Sequence, residues 1–198
     1  MPETIDHFRL QLTKAREPSS DYDLNPDISL PEGRKLRAAA VLLPLIQRDG
    51  AWHVILTMRS SALKHHPGQI AFPGGKQDDN DADLVATALR EAEEEIGLPK
   101  SNVEVVGDLG AHETVTGFTV TPIVGVLKGP FDIRPETGEV AEVFHVPLDF
   151  LAKPENFKVQ SRRWRGKQRH YYTIPYGPYY IWGATARMLR AFADTLDW

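Results

Sequence analysis

The sequence predicts an α/β or α+β domain, with mixed strands and helices packed on both sides. Three observations carry this expectation. A nearly continuous apolar run, Arg37–Gln47, is followed by Asp49-Gly50 and a second run, Trp52–Arg59, which together read as a buried β-hairpin. Val85, Leu89, Ala92 and Ile96, with Ala88 beside them, recur at helical spacing, and Gly97 is a natural stop. Trp182–Trp198 reads as an amphipathic C-terminal helix with Ala186, Leu189, Phe192 and Leu196 on one side.

The remaining elements follow in order. Residues 1–16 form a short helix in this reading, with Ile5, Phe8 and Leu12 on one side, and 17–35 an extended linker or covering arm rich in Pro, Ser, Asp and Gly. Residues 60–75 are a loop leading into the central helix. Val103–Leu109 and Phe118–Leu127 are strands, and Thr137–Val143 a short helical turn before Phe144-His145-Val146-Pro147. Leu148-Asp149-Phe150-Leu151 is a further helical turn, and Arg162–Ile174 a hairpin around Gly166. The division expected is an N-terminal helix and arm, 1–34, ahead of one domain, 35–198.

Composition narrows the function classes. A 41% apolar content supports a true core. The net charge of −4, with both signs mixed, argues against general nucleic-acid affinity. Without cysteine there is no disulfide, thiolate catalysis or cysteine metal site. No apolar run approaches the roughly 18 residues of a membrane span, and Met1-Pro2-Glu3-Thr4-Ile5-Asp6 lacks the pattern of a signal peptide. A cytoplasmic protein is the expectation.

The chemistry concentrates in residues 74–98, which open on Gly74-Gly75 and contain Arg90-Glu91-Ala92-Glu93-Glu94-Glu95-Ile96-Gly97-Leu98. Glu91, Glu94 and Glu95 share one helix face at i, i+3 and i, i+4 spacing. In water such neighbours repel by only about 0.2–0.5 kcal/mol, so an acidic run is ordinarily a solvated face. In a partly desolvated site, about 6 Å apart at an effective dielectric near 20, each pair repels by roughly 3 kcal/mol and calls for a cation. The Gly-Gly turn permits close backbone approach, and Arg90 is placed to brace the turn or the carboxylates. Oxygen-only ligands favour a hard cation, Mg²⁺ or Mn²⁺.

This segment resembles the Nudix box, Gly-x5-Glu-x7-Arg-Glu-U-x-Glu-Glu-x-Gly-U, where U is a bulky apolar residue. Arg90, Glu91, Glu94, Glu95, Gly97 and Leu98 match its second half. Gly75 to Arg90 is one residue longer than the pattern, and Asp81 stands where the first Glu belongs. Leu56–Ser60 and His66–Gly75 resemble the signature that precedes the box in coenzyme A pyrophosphatases, a likeness continued by Gly117–Gly125 and Ile181–Ala186. The likeness covers roughly residues 35–192. It implies the Nudix-type α/β/α sandwich with a mixed sheet, in a single domain.

The resemblance implies metal-dependent hydrolysis of the pyrophosphate of coenzyme A or acyl-coenzyme A, giving 3′,5′-ADP and 4′-phosphopantetheine or its acylated form. ADP-ribose, dinucleotides and nucleoside triphosphates are alternative substrates, and a catalytically silent nucleotide sensor a third reading. Glu91 and Glu95 are the first expected metal ligands and Glu94 the next. Glu139 and Glu142 are candidates for a downstream base. Arg59 is a candidate phosphate contact, or a surface charge at a strand end. Gln69 is a candidate for bonding substrate or the loop backbone, with Gly74 and Gly75 forming the turn beside it. Phe118 could pack toward the site or away. Arg162, Arg163, Arg165, Lys167 and Arg169 could attract the 3′-phosphate of coenzyme A, though a solvated hairpin tip is the commoner fate of such charges. Trp182 and Trp198 are read as packing residues at the two ends of the last helix. No membrane or nucleic-acid partner is expected, and a homodimer is left open.

Overall fold

The computed structural model describes residues 4–13, 17–28, 33–164 and 166–196. In chain order the elements are α1 (Ile5–Leu12), β1 (Ser19–Ser20), β2 (Arg37–Arg48), β3 (Ala51–Arg59), β4 (Ile70–Ala71), β5 (Gly74–Lys76), α2 (Leu84–Ile96), β6 (Val103–Asp108), β7 (His112–Glu113), β8 (Phe118–Leu127), β9 (Val140–Pro147), α3 (Leu148–Leu151), β10 (Lys158–Trp164), β11 (Lys167–Tyr176), β12 (Tyr179–Trp182) and α4 (Ala184–Thr195). A mixed sheet runs β1-β7-β8-β2-β3-β4, with β5 also on β2, β6 on β8 and β9 on β3. Its centre is the parallel pair β2–β8, flanked by antiparallel neighbours. A smaller antiparallel sheet runs β10-β11-β12.

β2 shows why both faces of the large sheet are covered. Side chains alternate across a strand. Ala39, Leu43 and Leu45 enter one apolar cluster, while Ala40, Leu42 and Ile46 enter another. The second cluster is closed by Ala88, Ala92 and Ile96 of α2. The first is closed by Phe8 and Leu12 of α1 and by Ala186, Leu189 and Phe192 of α4. The result is an α/β/α sandwich with a mixed sheet. Phe8 is fully buried, edge-on to Trp52 at 5.2 Å and stacked with Phe192 at 6.4 Å, so α1 is part of the core layer.

Several expectations need correcting. Residues 140–147 form strand β9, in place of a helical turn through Val143, because β3 offers an unpaired edge that they match from His53 to Arg59. Trp182 ends β12, and α4 begins only at Ala184, because Gly183 at φ 66° turns the chain between them. The 60–75 loop contains β4 and the start of β5. Arg165 and Trp198 lie outside the described residues.

The segment 17–28 crosses from one sheet to the other. β1 pairs in parallel with β7, Ser19 opposite His112. Ser19 Oγ lies 2.9 Å from His112 Nδ1, and Asp21 Oδ1 lies 3.2 Å from its Nε2. His112 is fully buried and Ser19 nearly so, which makes this trio a clasp and not a nucleophile. Further along, the Asn25 side chain donates to His170 O at 2.9 Å and accepts from His170 N at 2.8 Å, fastening the segment to β11.

Candidate active site

α2 carries the acidic residues, and its ends are firmly set. The Asp83 carboxylate accepts from Ala86 N at 2.7 Å as the N-cap. Gly97 closes the helix in the left-handed region at φ 71°, with its N–H and that of Leu98 returning to Glu93 O and Ala92 O. This cap-to-cap register turns Glu91 and Glu95 toward β5. Gly74 N donates to Glu95 Oε2 at 3.3 Å. Gly75 lies so close that a Cβ there would stand 2.5 Å from Glu91 Oε1, and one at Gly74 would stand 2.5 Å from Ala40 O and Val41 Cα. The glycine pair is a steric requirement of the carboxylates and of β2.

Arg90 organises the outer side. Its Nε and Nη2 donate to the two oxygens of Asp81, each at 2.9 Å, a bidentate fork. Its Nη1 donates to Glu91 Oε1 and to Glu94 Oε2, each at 3.0 Å. Asp81 also accepts from Asp78 N and Thr87 Oγ1. These donors, Arg90 first, hold the Asp81 carboxyl well below its usual range. Glu94 is therefore drawn outward to Arg90 and is exposed.

Glu95 is 5% exposed. Burial first, then the charge of Glu91, push its carboxyl up to about 8, opposed by the Gly74 N–H and the Arg59 charge. Burial likewise raises Glu91, against the pull of Arg90. Glu139, exposed on the loop before β9, adds negative potential to both. Glu142 stands elsewhere: its carboxylate accepts from Tyr179 Oη at 2.5 Å, beside the stacked Phe144–Tyr179 pair on the sheet face away from α2. Phe118 carries the Arg37 guanidinium on its ring at 3.9 Å.

Among the described residues no three Asp, Glu or His side chains are gathered closely enough to hold an ion as they stand. Arg90 engages Glu94 and one oxygen of Glu91. The donor set nevertheless suits a hard divalent cation: two carboxylates converge, one of them buried, and burial foremost raises the proton affinity of both.

A cleft of about 400 Å³ is lined by Arg59, whose charge acts on Glu95, together with Gln69, Arg162, Trp182 and Asp21. Arg59 Nε is buried and has no hydrogen-bond partner among the described residues. The predicted residues thus divide. Glu91, Glu95, Gly74 and Gly75 meet at the turn, Arg59 and Gln69 line the cleft, and Glu139 approaches from its loop. Sequence reading misses the Asp81–Arg90 fork, whose only signal is Asp81 in the displaced box position. It also misses the cleft wall supplied by Asp21, which no local pattern connects to Arg59.

The α/β/α sandwich with its mixed sheet thus presents paired glutamates at a Gly-Gly turn. Residues 35–166 match the NUDIX domain family, and the chain belongs to that family. The chain is 41% identical over 192 residues to the uncharacterised Nudix hydrolase NudL of Escherichia coli O139:H28, covering 96% of this chain and 93% of that one. It is 41% identical over 157 residues to NudL of Enterobacter sp. strain 638, covering 79% and 81%. Among solved structures, the Caenorhabditis elegans Ap4A hydrolase in a binary complex is similar at 22% identity and a TM-score of 0.48, over 58% of this chain and 82% of that one. Among the described residues no helix is long and apolar enough to cross a membrane.

Proposed function

We propose that this Nudix hydrolase cleaves the diphosphate of coenzyme A or acyl-coenzyme A, releasing 3′,5′-ADP and (acyl-)4′-phosphopantetheine. The observation that carries the reading is the convergence of Glu91 and Glu95 on the Gly74–Gly75 turn, with the charge of the cleft residue Arg59 acting on Glu95. The likeness of 56–60 and 66–75 to the coenzyme A branch supports the substrate choice, since these residues supply Arg59 and Gln69 to the cleft.

Glu91 and Glu95 would hold Mg²⁺ or Mn²⁺, with Glu94 joining on release from Arg90. The ion would neutralise diphosphate charge and lower the pKa of bound water. The chain's residues do the rest. Arg59 pairs with a non-bridging phosphate oxygen, satisfying its buried donor. Gln69 orients the substrate across the loop. Arg90, fixed by Asp81, holds the Glu91 carboxylate in place. Glu139, on the loop beside the pair, takes the proton as a water oxygen bonds to phosphorus and the bridging P–O bond breaks. Both products leave as phosphomonoesters, so atoms and charge balance.

The test is product analysis by mass spectrometry, with coenzyme A, acyl-coenzyme A, ADP-ribose, a dinucleotide and a triphosphate offered in Mg²⁺ or Mn²⁺. Release of 3′,5′-ADP that is selective for the coenzyme A compounds and lost with chelator is the expected result. Preference for another member would keep the Nudix chemistry and refute the substrate. No turnover of any would favour a nucleotide sensor.

A further inference from the structure

The strand register places two arginines where a sheet by itself would disfavour them. Arg162 on β10 stands directly opposite Arg169 on β11. Like charges at opposed positions repel, and their side chains project from the same face. Tyr171, two residues beyond Arg169, projects from that face too, as does Trp182, which pairs with Thr173 on β12. All four line one lobe of the cleft, of about 290 Å³.

The two arginines are positioned differently. Arg169 lies over the Tyr22 ring at 5.6 Å, on the covering segment. Arg162 lies over Trp182 at 4.8 Å and near Tyr171 at 6.0 Å. A guanidinium held over an aromatic face by cation–π attraction keeps its N–H groups available for a fork. Among the described residues no carboxylate forms an ion pair with Arg162. Asp21, which lines the same cleft, has its oxygens engaged by Val115 N at 2.9 Å and by His112 Nε2. The lobe is therefore a basic, aromatic-backed recess, and it shares Arg162 and Trp182 with the cleft lined by Arg59 and Gln69.

We infer that this recess is a phosphomonoester subsite. Arg162, braced on Trp182, binds a phosphate carried on the ribose of the substrate, while Arg59 serves the diphosphate. The occupant is a nucleoside diphosphate derivative bearing one further ribose phosphate. This deepens the proposed function and rests on it for the position of that phosphate, which is the 3′ position in coenzyme A. The geometry equally accepts the chemistry of a 2′-phosphate.

The experiment compares wild type with Arg162→Gln and Arg162→Lys. Binding of 3′,5′-ADP, 2′,5′-ADP and 5′-AMP is measured by calorimetry, and turnover of coenzyme A against 3′-dephospho-coenzyme A by chromatography. Loss of one charged, hydrogen-bonded contact predicts a KM for coenzyme A raised about tenfold to a hundredfold, with kcat within about twofold. Dephospho-coenzyme A should be handled alike by wild type and Arg162→Gln, and Arg162→Lys should fall between them on coenzyme A. Calorimetry should show the same selective loss for 3′,5′-ADP and none for 5′-AMP. Equal losses on phosphorylated and dephosphorylated ligands, or no loss on either, would overturn the subsite. A loss confined to 2′,5′-ADP would keep the subsite and refute coenzyme A as substrate. If wild type fails to turn over coenzyme A, the calorimetric arm still decides the subsite separately from the proposed reaction.

Discussion

Glu95→Gln is expected to make the metal-free protein more stable while removing its activity. The Glu95 carboxyl is held at about 8 in the native protein, against 4.5 for the ordinary side chain. Between those values the native state keeps a proton that the unfolded chain releases. Stability therefore falls as pH rises through that window, and the loss is complete above the native value. Each pH unit corresponds to about 1.4 kcal/mol, so at about pH 7 wild type has lost roughly 3 kcal/mol that a neutral amide does not lose. The substituted amide keeps an oxygen for the Gly74 N–H. For a domain of this size, roughly 3 kcal/mol is a Tm increase of about 6–12 °C. The assay is thermal unfolding in chelator at a series of pH values, with the difference between the two proteins as the readout, so that other titrations cancel. The difference should grow steadily from about pH 5 to pH 8. Added Mg²⁺ should then stabilise wild type more than the variant. Parallel unfolding curves for the two proteins across that range would refute the placement of an uncompensated charge at Glu95.

The glycine pair should separate function from folding. Gly75→Ala pushes Glu91 aside and should lower kcat about a hundredfold with the fold retained in circular dichroism. Gly74→Ala meets backbone at 2.5 Å and should show its effect as lost stability in denaturant titration. Arg90→Ala should lower kcat about 10- to 100-fold by releasing Glu91, with metal affinity measured in parallel; unchanged turnover and unchanged metal binding would remove its positioning role. Phe8→Ala should cost about 3–5 kcal/mol in urea unfolding, since the ring is fully buried between Trp52 and Phe192. A value near zero would mean that α1 does not close that core.

Legibility follows the range of the interactions. α2 is readable from sequence because its apolar stripe, Asp83 and Gly97 all lie within one short segment. β8 is readable because its buried half, from Pro122 to Leu127, is a continuous apolar run. β9 is not, because residues 140–143 favour strand only when the edge of β3 is present. The site divides the same way. Counting alone places Glu91 and Glu95 on a common face, whereas the Tyr179–Glu142 bond and the Arg162–Trp182 stack join residues that no local pattern links. Asp81 is visible in the sequence, but its partner emerges only when the loop from Gly75 is traced back to Arg90.

The segment 17–28 has a consequence for anyone who would transplant this enzyme. The stretch shared with the wider family is 35–166. It contains the paired glutamates, the Gly-Gly turn and Arg59, but not Asp21, Tyr22, Asn25, Arg169 or Trp182. A chain trimmed to the shared stretch would keep the paired glutamates and Arg162 but lose Asp21 and Trp182 from the cleft, together with the fastenings at His112 and His170. Grafting specificity between relatives would then mean moving two distant stretches of sequence as one unit. Libraries confined to the loop ahead of α2 would leave the part of the cleft built by Asp21, Arg162 and Trp182 unsearched.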